Sequence, residues 1–138
     1  MFFKKKESNN DESDFVKIAA LLIHAARIDE NYSKEEEDII KKTLIDLGVD
    51  KENLDTLIIK AKKSEENANQ ILDFTKEIKN LKNTDKIKII KSLWKIIYSN
   101  QNADIYETNL MRRLAGLLYI DSKIMGDIKE EIKKRILK

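Results

Sequence analysis

The chain has 138 residues, 41% of them hydrophobic and 38% charged, with 27 basic and 25 acidic side chains giving a net charge of +2. With no cysteine it has no disulfide, zinc-thiolate site or thiol nucleophile, and so small a basic excess argues against a dedicated nucleic-acid binder. Proline is absent and glycine occurs 3 times, so little interrupts a helix, and the composition points to one all-α domain.

Residues 1–13 are polar after Phe3 and read as a flexible leader; the folded domain is expected over 14–138. The start lacks the apolar stretch of a signal peptide, so a cytoplasmic location is expected. A first helix is predicted from the N-cap Asp14 to about Asp29. Its middle, Ile18 to Ala26, is apolar on nearly every side, which places it at the centre of a bundle. Ser33 and Glu36 form a capping box for helix 2, which carries Ile39, Ile40, Leu44 and Leu47 and ends at Gly48. Asp50 is expected to cap helix 3, with Leu54, Leu57, Ile58 and Ala61 as its buried stripe. Helix 4 is expected after Ser64, with Ala68, Ile71, Leu72, Phe74 and Ile78, and a turn at Lys82–Thr84 follows. Helix 5 carries Ile87, Ile90, Leu93, Trp94, Ile97 and Tyr98. Helix 6 is expected to be capped by Asp104 with Glu107 as box partner, and helix 7 by Asp121 or Ser122 with Ile124, Ile128, Ile132 and Ile136 as its stripe.

The chain also repeats itself. Shifted by 71 positions, Val16, Ile18, Ala19, Leu22, Ile23, Ala25 and Ala26 fall on Ile87, Ile89, Ile90, Leu93, Trp94, Ile96 and Ile97. Glu36 falls on Glu107, Leu47 on Leu118 and Asp50 on Asp121. The expectation is a compact bundle of about seven helices with an internal pseudo-two-fold helix-loop-helix repeat, its helices 1 and 5 meeting near the centre.

In each copy a polar loop joins the end of an apolar helix to the start of the next. Asp29 and Glu36 from one loop, with Asn100, Asp104 and Glu107 from the other, are five oxygen donors that a hard divalent cation would accept if the dyad brings the loops together. From the residues alone, helix capping is the stronger explanation of Ser33, Glu36, Asp104 and Glu107, each cap contributing roughly 1 kcal/mol. His24, the single histidine, is expected half-buried and hydrogen-bonded to a carbonyl rather than catalytic. Trp94 reads as core. The lysines of helices 5 and 7, Lys86, Lys88, Lys91, Lys95, Lys129, Lys133 and Lys134, read as a solvated mixed face more than as a lipid or nucleic-acid surface. Arg112 or Arg113 is expected to pair with a carboxylate such as Glu107 or Asp121.

The segment Ala25-Ala26-Arg27-Ile28-Asp29-Glu30-Asn31-Tyr32-Ser33-Lys34-Glu35-Glu36 is similar to the alanine-rich helix, Asp-Gly loop and acidic helix start of the TerB-like tellurite-resistance family. Leu93-Trp94, Tyr106-Glu107, Arg112-Arg113-Leu114-Ala115 and Phe74-Thr75 resemble the signature of one branch of that family, and the likeness covers roughly residues 15 to 136. It implies an all-helical fold, shared with the N-terminal domain of membrane-anchored DnaJ-like co-chaperones, and an acidic cluster that binds divalent metal. The first loop has Asp29-Glu30 and the second Asn100-Gln101 where the family has Asp-Gly, which weakens cation binding in the second loop. The expected function is a non-enzymatic stress-response accessory domain binding calcium, magnesium, manganese or zinc. The alternative is a metal-free, co-chaperone-like protein-interaction module. A protein partner is expected in either case; nucleic acid is not, and peripheral membrane contact is not favoured. No glycine-rich phosphate loop and no Ser/His/Asp pattern suggests an enzyme.

Overall fold

Helix α1 spans Phe3–Arg27 in a computed structural model that describes residues 3–27, 33–67, 72–99 and 105–136; the side chains at 3–13, 72, 73, 77, 105–108 and 136 lie outside that description. It starts well ahead of the expected cap at Asp14, because nothing in Lys4–Asp14 breaks a helix once it has nucleated. After α1 come α2 (Lys34–Asp46), a 3-10 turn (Lys51–Asn53), α3 (Leu54–Asn67), α4 (Leu72–Ile78), α5 (Asn83–Tyr98), α6 (Ile105–Leu117) and α7 (Ser122–Ile136). Seven α-helices and no strand occur among the described residues.

Further boundaries differ from expectation; α5, for one, begins at Asn83, inside the turn expected at Lys82–Thr84. Asp50 precedes the 3-10 turn and makes no side-chain cap, so α3 proper starts at Leu54. Ser64 does not start a helix either; α3 runs through it to Asn67, and α4 is a short element of its own. The continuation of α3 carries Glu65 and Glu66 to Arg27 on α1, a gain that local propensity does not show. Ala68 and Ile71 of the expected fourth helix lie outside the described residues.

The repeat survives in the element boundaries. Arg27, ending α1, corresponds to Tyr98, ending α5, and the two ends of α2 correspond to the two ends of α6. The 3-10 turn and α3 correspond to α7, while α4 links the copies. Even the helix ends agree. After α2, Val49 N–H reaches Leu44 O at 2.9 Å and Gly48 N–H reaches Ile45 O at 3.0 Å, closing the helix around Gly48 at φ +116°. After α6, Ile120 N–H reaches Ala115 O at 2.9 Å and Tyr119 N–H reaches Gly116 O at 3.3 Å, around Tyr119 at φ 58°. Both are the left-handed helix stop that satisfies the last carbonyls.

α1 packs on α2, α3, α4 and α5, and α5 packs on α1, α2 and α7. Ile18 to Ile23, Ala25 and Ala26 are all buried, as the all-round apolar run requires. Ile89, Ile90, Leu93, Trp94, Ile96 and Ile97 of α5 face them in one core, joined by Phe74 and Ile78 of α4 and by Ile128 and Ile132 of α7. Ile124, expected in the α7 stripe, is exposed, and Met125 takes the buried place instead. Two hydroxyls interrupt this apolar contact. Thr43 of α2 and Ser92 of α5 hydrogen-bond to each other where those helices meet, and Thr43 Oγ1 also donates to Ile39 O at 2.8 Å.

Candidate functional site

The chain leaves α1 and enters α2 at the first elbow. Ser33 stands there in extended conformation, φ −88° and ψ 167°, and its Oγ accepts from Glu36 N–H at 3.1 Å. Glu36 Oε1 accepts from Ser33 N–H at 2.8 Å, completing the capping box read from the sequence. Glu36 is 0% exposed, an unusual state for a carboxylate, and the start of α2 stabilises it through free N–H groups and the positive end of the helix dipole.

Of the other candidate ligands, Asp29, Asn100 and Asp104 lie outside the described residues. Glu107 is the third residue of α6 as Glu36 is the third of α2, with its side chain outside the description. Among the described residues no group of three or more histidine, aspartate and glutamate side chains gathers into a cation site.

Just before the elbow, the last turn of α1 is tied to α3. Arg27 Nη1 lies 2.6 Å from Glu65 Oε1, Arg27 Nη2 lies 3.7 Å from Glu66 Oε2, and His24 Nδ1 lies 3.3 Å from Glu65 Oε2. Glu65 is only 13% exposed at its side chain, so it acts from a partly desolvated position. The Arg27 guanidinium at the C-terminus of α1 also interacts favourably with the helix dipole. The expectation of a carbonyl partner for His24 is therefore corrected: its partner is a carboxylate from α3, 41 residues away. The cationic last turn of α1 is visible in the sequence, but which carboxylate meets it is not.

The second copy holds a different arrangement. Lys86, read from sequence as part of a solvated face, is 5% exposed and donates from Nζ to Leu118 O at 2.9 Å, closing the C-terminal end of α6. It occupies the position of Phe15, whose ring lies under Gly48 in the first copy. Tyr119, 73% exposed, is flanked by Lys86 Nζ and Lys79 Nζ at 5.9 and 6.0 Å from its ring centre. Trp94 is core as expected: it stacks on Tyr98 with ring centres 5.8 Å apart, while Lys129 Nζ lies 5.4 Å from its ring centre. Its Nε1 has no hydrogen-bond partner among the described residues. Arg112 and Arg113 are both exposed, and Arg112 reaches Asn109 Oδ1 at 3.4 Å. Neither pairs with Asp121, whose Oδ1 instead caps α7 by accepting from Lys123 N–H at 2.8 Å.

No helix among the described residues is long and apolar enough to cross a membrane. No curated protein and no solved structure matches the chain. The profile of one family, described as tellurite resistance protein TerB, matches residues 15–130, from the point where α1 enters the core to the middle of α7. With this match spanning both copies of the helical repeat, the chain belongs to the TerB family.

Proposed function

We propose that this protein is a non-enzymatic accessory domain of a stress-response system, working in the cytoplasm, in which the two elbows hold a divalent cation. The observation that carries the reading is Glu36, a fully buried carboxylate set where the first elbow meets α2. Its fit to a cation is chemical: a carboxylate offers about four lone-pair sites on two oxygens, the kind of donor a hard cation takes. Asp29, Asn100, Asp104 and Glu107 supply the remaining oxygen donors of the proposed site, a donor set suited to calcium, magnesium or manganese, with zinc less well matched.

The test is a titration of calcium, magnesium, manganese and zinc into metal-stripped protein, followed by residue-resolved NMR and by the unfolding midpoint. The reading expects amide shifts at 29–36 and 100–107 and a midpoint that rises with free metal, since a ligand bound only to the native state stabilises it. Glu36→Gln should abolish both effects. Ser33→Ala, which weakens the same cap without removing a carboxylate, should keep them. Absence of shifts at millimolar metal overturns the reading.

A second reading, a metal-free interaction module, draws on Tyr119. A large ring held in solvent on a left-handed backbone, with two lysine ammonium groups about 6 Å from it, is suited to contact with another protein. This reading expects the same unfolding midpoint with and without chelator.

A further inference from the structure

The α2–α5 groove lies on a different element pair from the acidic elbows and carries the opposite charge. It encloses about 250 Å³ and is lined by Ile39, Lys42, Thr43 and Asp46 of α2 and by Lys88, Lys91, Ser92 and Lys95 of α5. Lys88, Lys91 and Lys95 are spaced so that they share one face of α5, and Lys42 faces them from α2. Four ammonium groups against the single carboxylate of Asp46 leave a local excess of positive charge, in a protein whose net charge is only +2.

We propose that this groove is a binding site for a compact phosphate-bearing anion. Three features support it. The first is unspent charge: Lys42 and Lys95 make no ion pair with any described residue, and Lys88 gives one hydrogen bond to Asp46 O at 3.3 Å. Lys91 meets Glu131 of α7 at 3.7 Å, a half-exposed pair of the kind worth little, which an anion can readily displace. The second is shape. A concave site between packed helices concentrates the field of its lysines more than a flat surface does, and its volume admits a phosphate ester or pyrophosphate rather than a polymer. The third is the floor. Thr43 and Ser92, both nearly buried, place hydroxyls between the lysine rows, and a Ser92 hydroxyl turned from Thr43 to the ligand donates directly to a phosphate oxygen.

The probe is inorganic pyrophosphate, titrated into the full chain and followed by amide NMR and calorimetry. Shifts confined to 39–46 and 88–95, with affinity that falls as salt rises, are expected. Lys42→Glu and Lys95→Glu should each weaken binding by about tenfold, from the loss and reversal of one near charge. Lys133→Glu, at the exposed end of α7, should leave affinity unchanged. Should the Glu variants fold poorly, Lys42→Gln and Lys95→Gln are expected to show smaller losses in the same order. Vesicles of phosphatidylcholine carrying a phosphoinositide separate the two sources of the group. Retention that pyrophosphate competes away assigns a lipid headgroup, whereas pyrophosphate binding without retention assigns a free phosphate. Shifts spread over every lysine-bearing helix, equal weakening by Lys133→Glu, or no saturation at millimolar pyrophosphate overturns the proposal. Because the elbows contribute no residue to this groove, failure of the metal reading does not affect it.

Discussion

Tyr119 stands at the end of α6 where Gly48 stands at the end of α2, and the two residues bear the same backbone demand unequally. A left-handed conformation costs a side-chain-bearing residue roughly 1 kcal/mol, and glycine close to nothing. Tyr119→Gly is therefore expected to stabilise the protein by about 1 kcal/mol, reduced by whatever the two flanking lysines gain from the ring. Gly48→Ala should lose about 1–2 kcal/mol. The loss is conformational, because a methyl group there meets only the Phe15 ring at 4.0 Å. Urea midpoints at constant slope decide both, and a Tyr119→Gly variant less stable than the parent would show that the ring contributes more than its backbone costs. Tyr98 responds to pH. Burial, assisted by the nearby Glu130 carboxylate, pushes its phenol above the ordinary tyrosine value of about 10. A raised folded-state pKa means that the neutral phenol is favoured by the fold; this stability is complete below the unfolded pKa and is lost as pH rises through the folded one. In an absorbance titration Tyr98→Phe should remove a late-ionising step and flatten the alkaline loss of stability. An alkaline titration left unchanged by Tyr98→Phe would contradict it.

Among the elements, the join of α1 to α3 shows what a linear reading can and cannot supply. Glu65→Gln keeps the shape but removes the charge that holds Arg27, and is expected to cost about 1–2 kcal/mol given the partial exposure of the guanidinium. The difference from the parent should shrink as salt rises, and a salt-independent loss would point to packing instead. The pairing in this cluster was not legible in the sequence, because its partners are 38 and 41 residues apart and meet only after α1 and α3 pack. The same holds for Lys86, whose burial depends on the α6 end folding over it. Some features whose partners lie within one turn were legible: spacing gives the Ser33–Glu36 box and the Gly48 stop, and narrows the α7 cap to Asp121 or Ser122, whereas Asp50, read the same way, makes no side-chain cap. Ser64 misled for the complementary reason. Serine is a good helix start, but α3 gains more by continuing to Glu65 and Glu66 than by stopping.

At the scale of the molecule, the repeat could produce either two halves that fold separately or one body. The all-round apolar character of Ile18–Ala26 already favours one body, since α2 and α3 alone cannot cover every side of α1. The packing of α1 on α5 supplies the missing cover, and the contact of α2 with α5 crosses between the copies as well. Leu22 and Leu93 are equivalent positions, both fully buried at this centre. Truncating either to alanine should cost about 2–5 kcal/mol, whereas Ile124→Ala on the exposed side of α7 should fall near zero. The decisive measurement is hydrogen exchange in Leu93→Ala. If the halves were independent, the mutation would speed exchange in α5 and α7 and leave α3 untouched. With α1 and α5 sharing one core, amides of 57–61 in α3 should lose as much protection as amides of 128–132 in α7, because each opens only when that core does. Residues 18–26 and 89–97 should then exchange last, with the free energy of global unfolding.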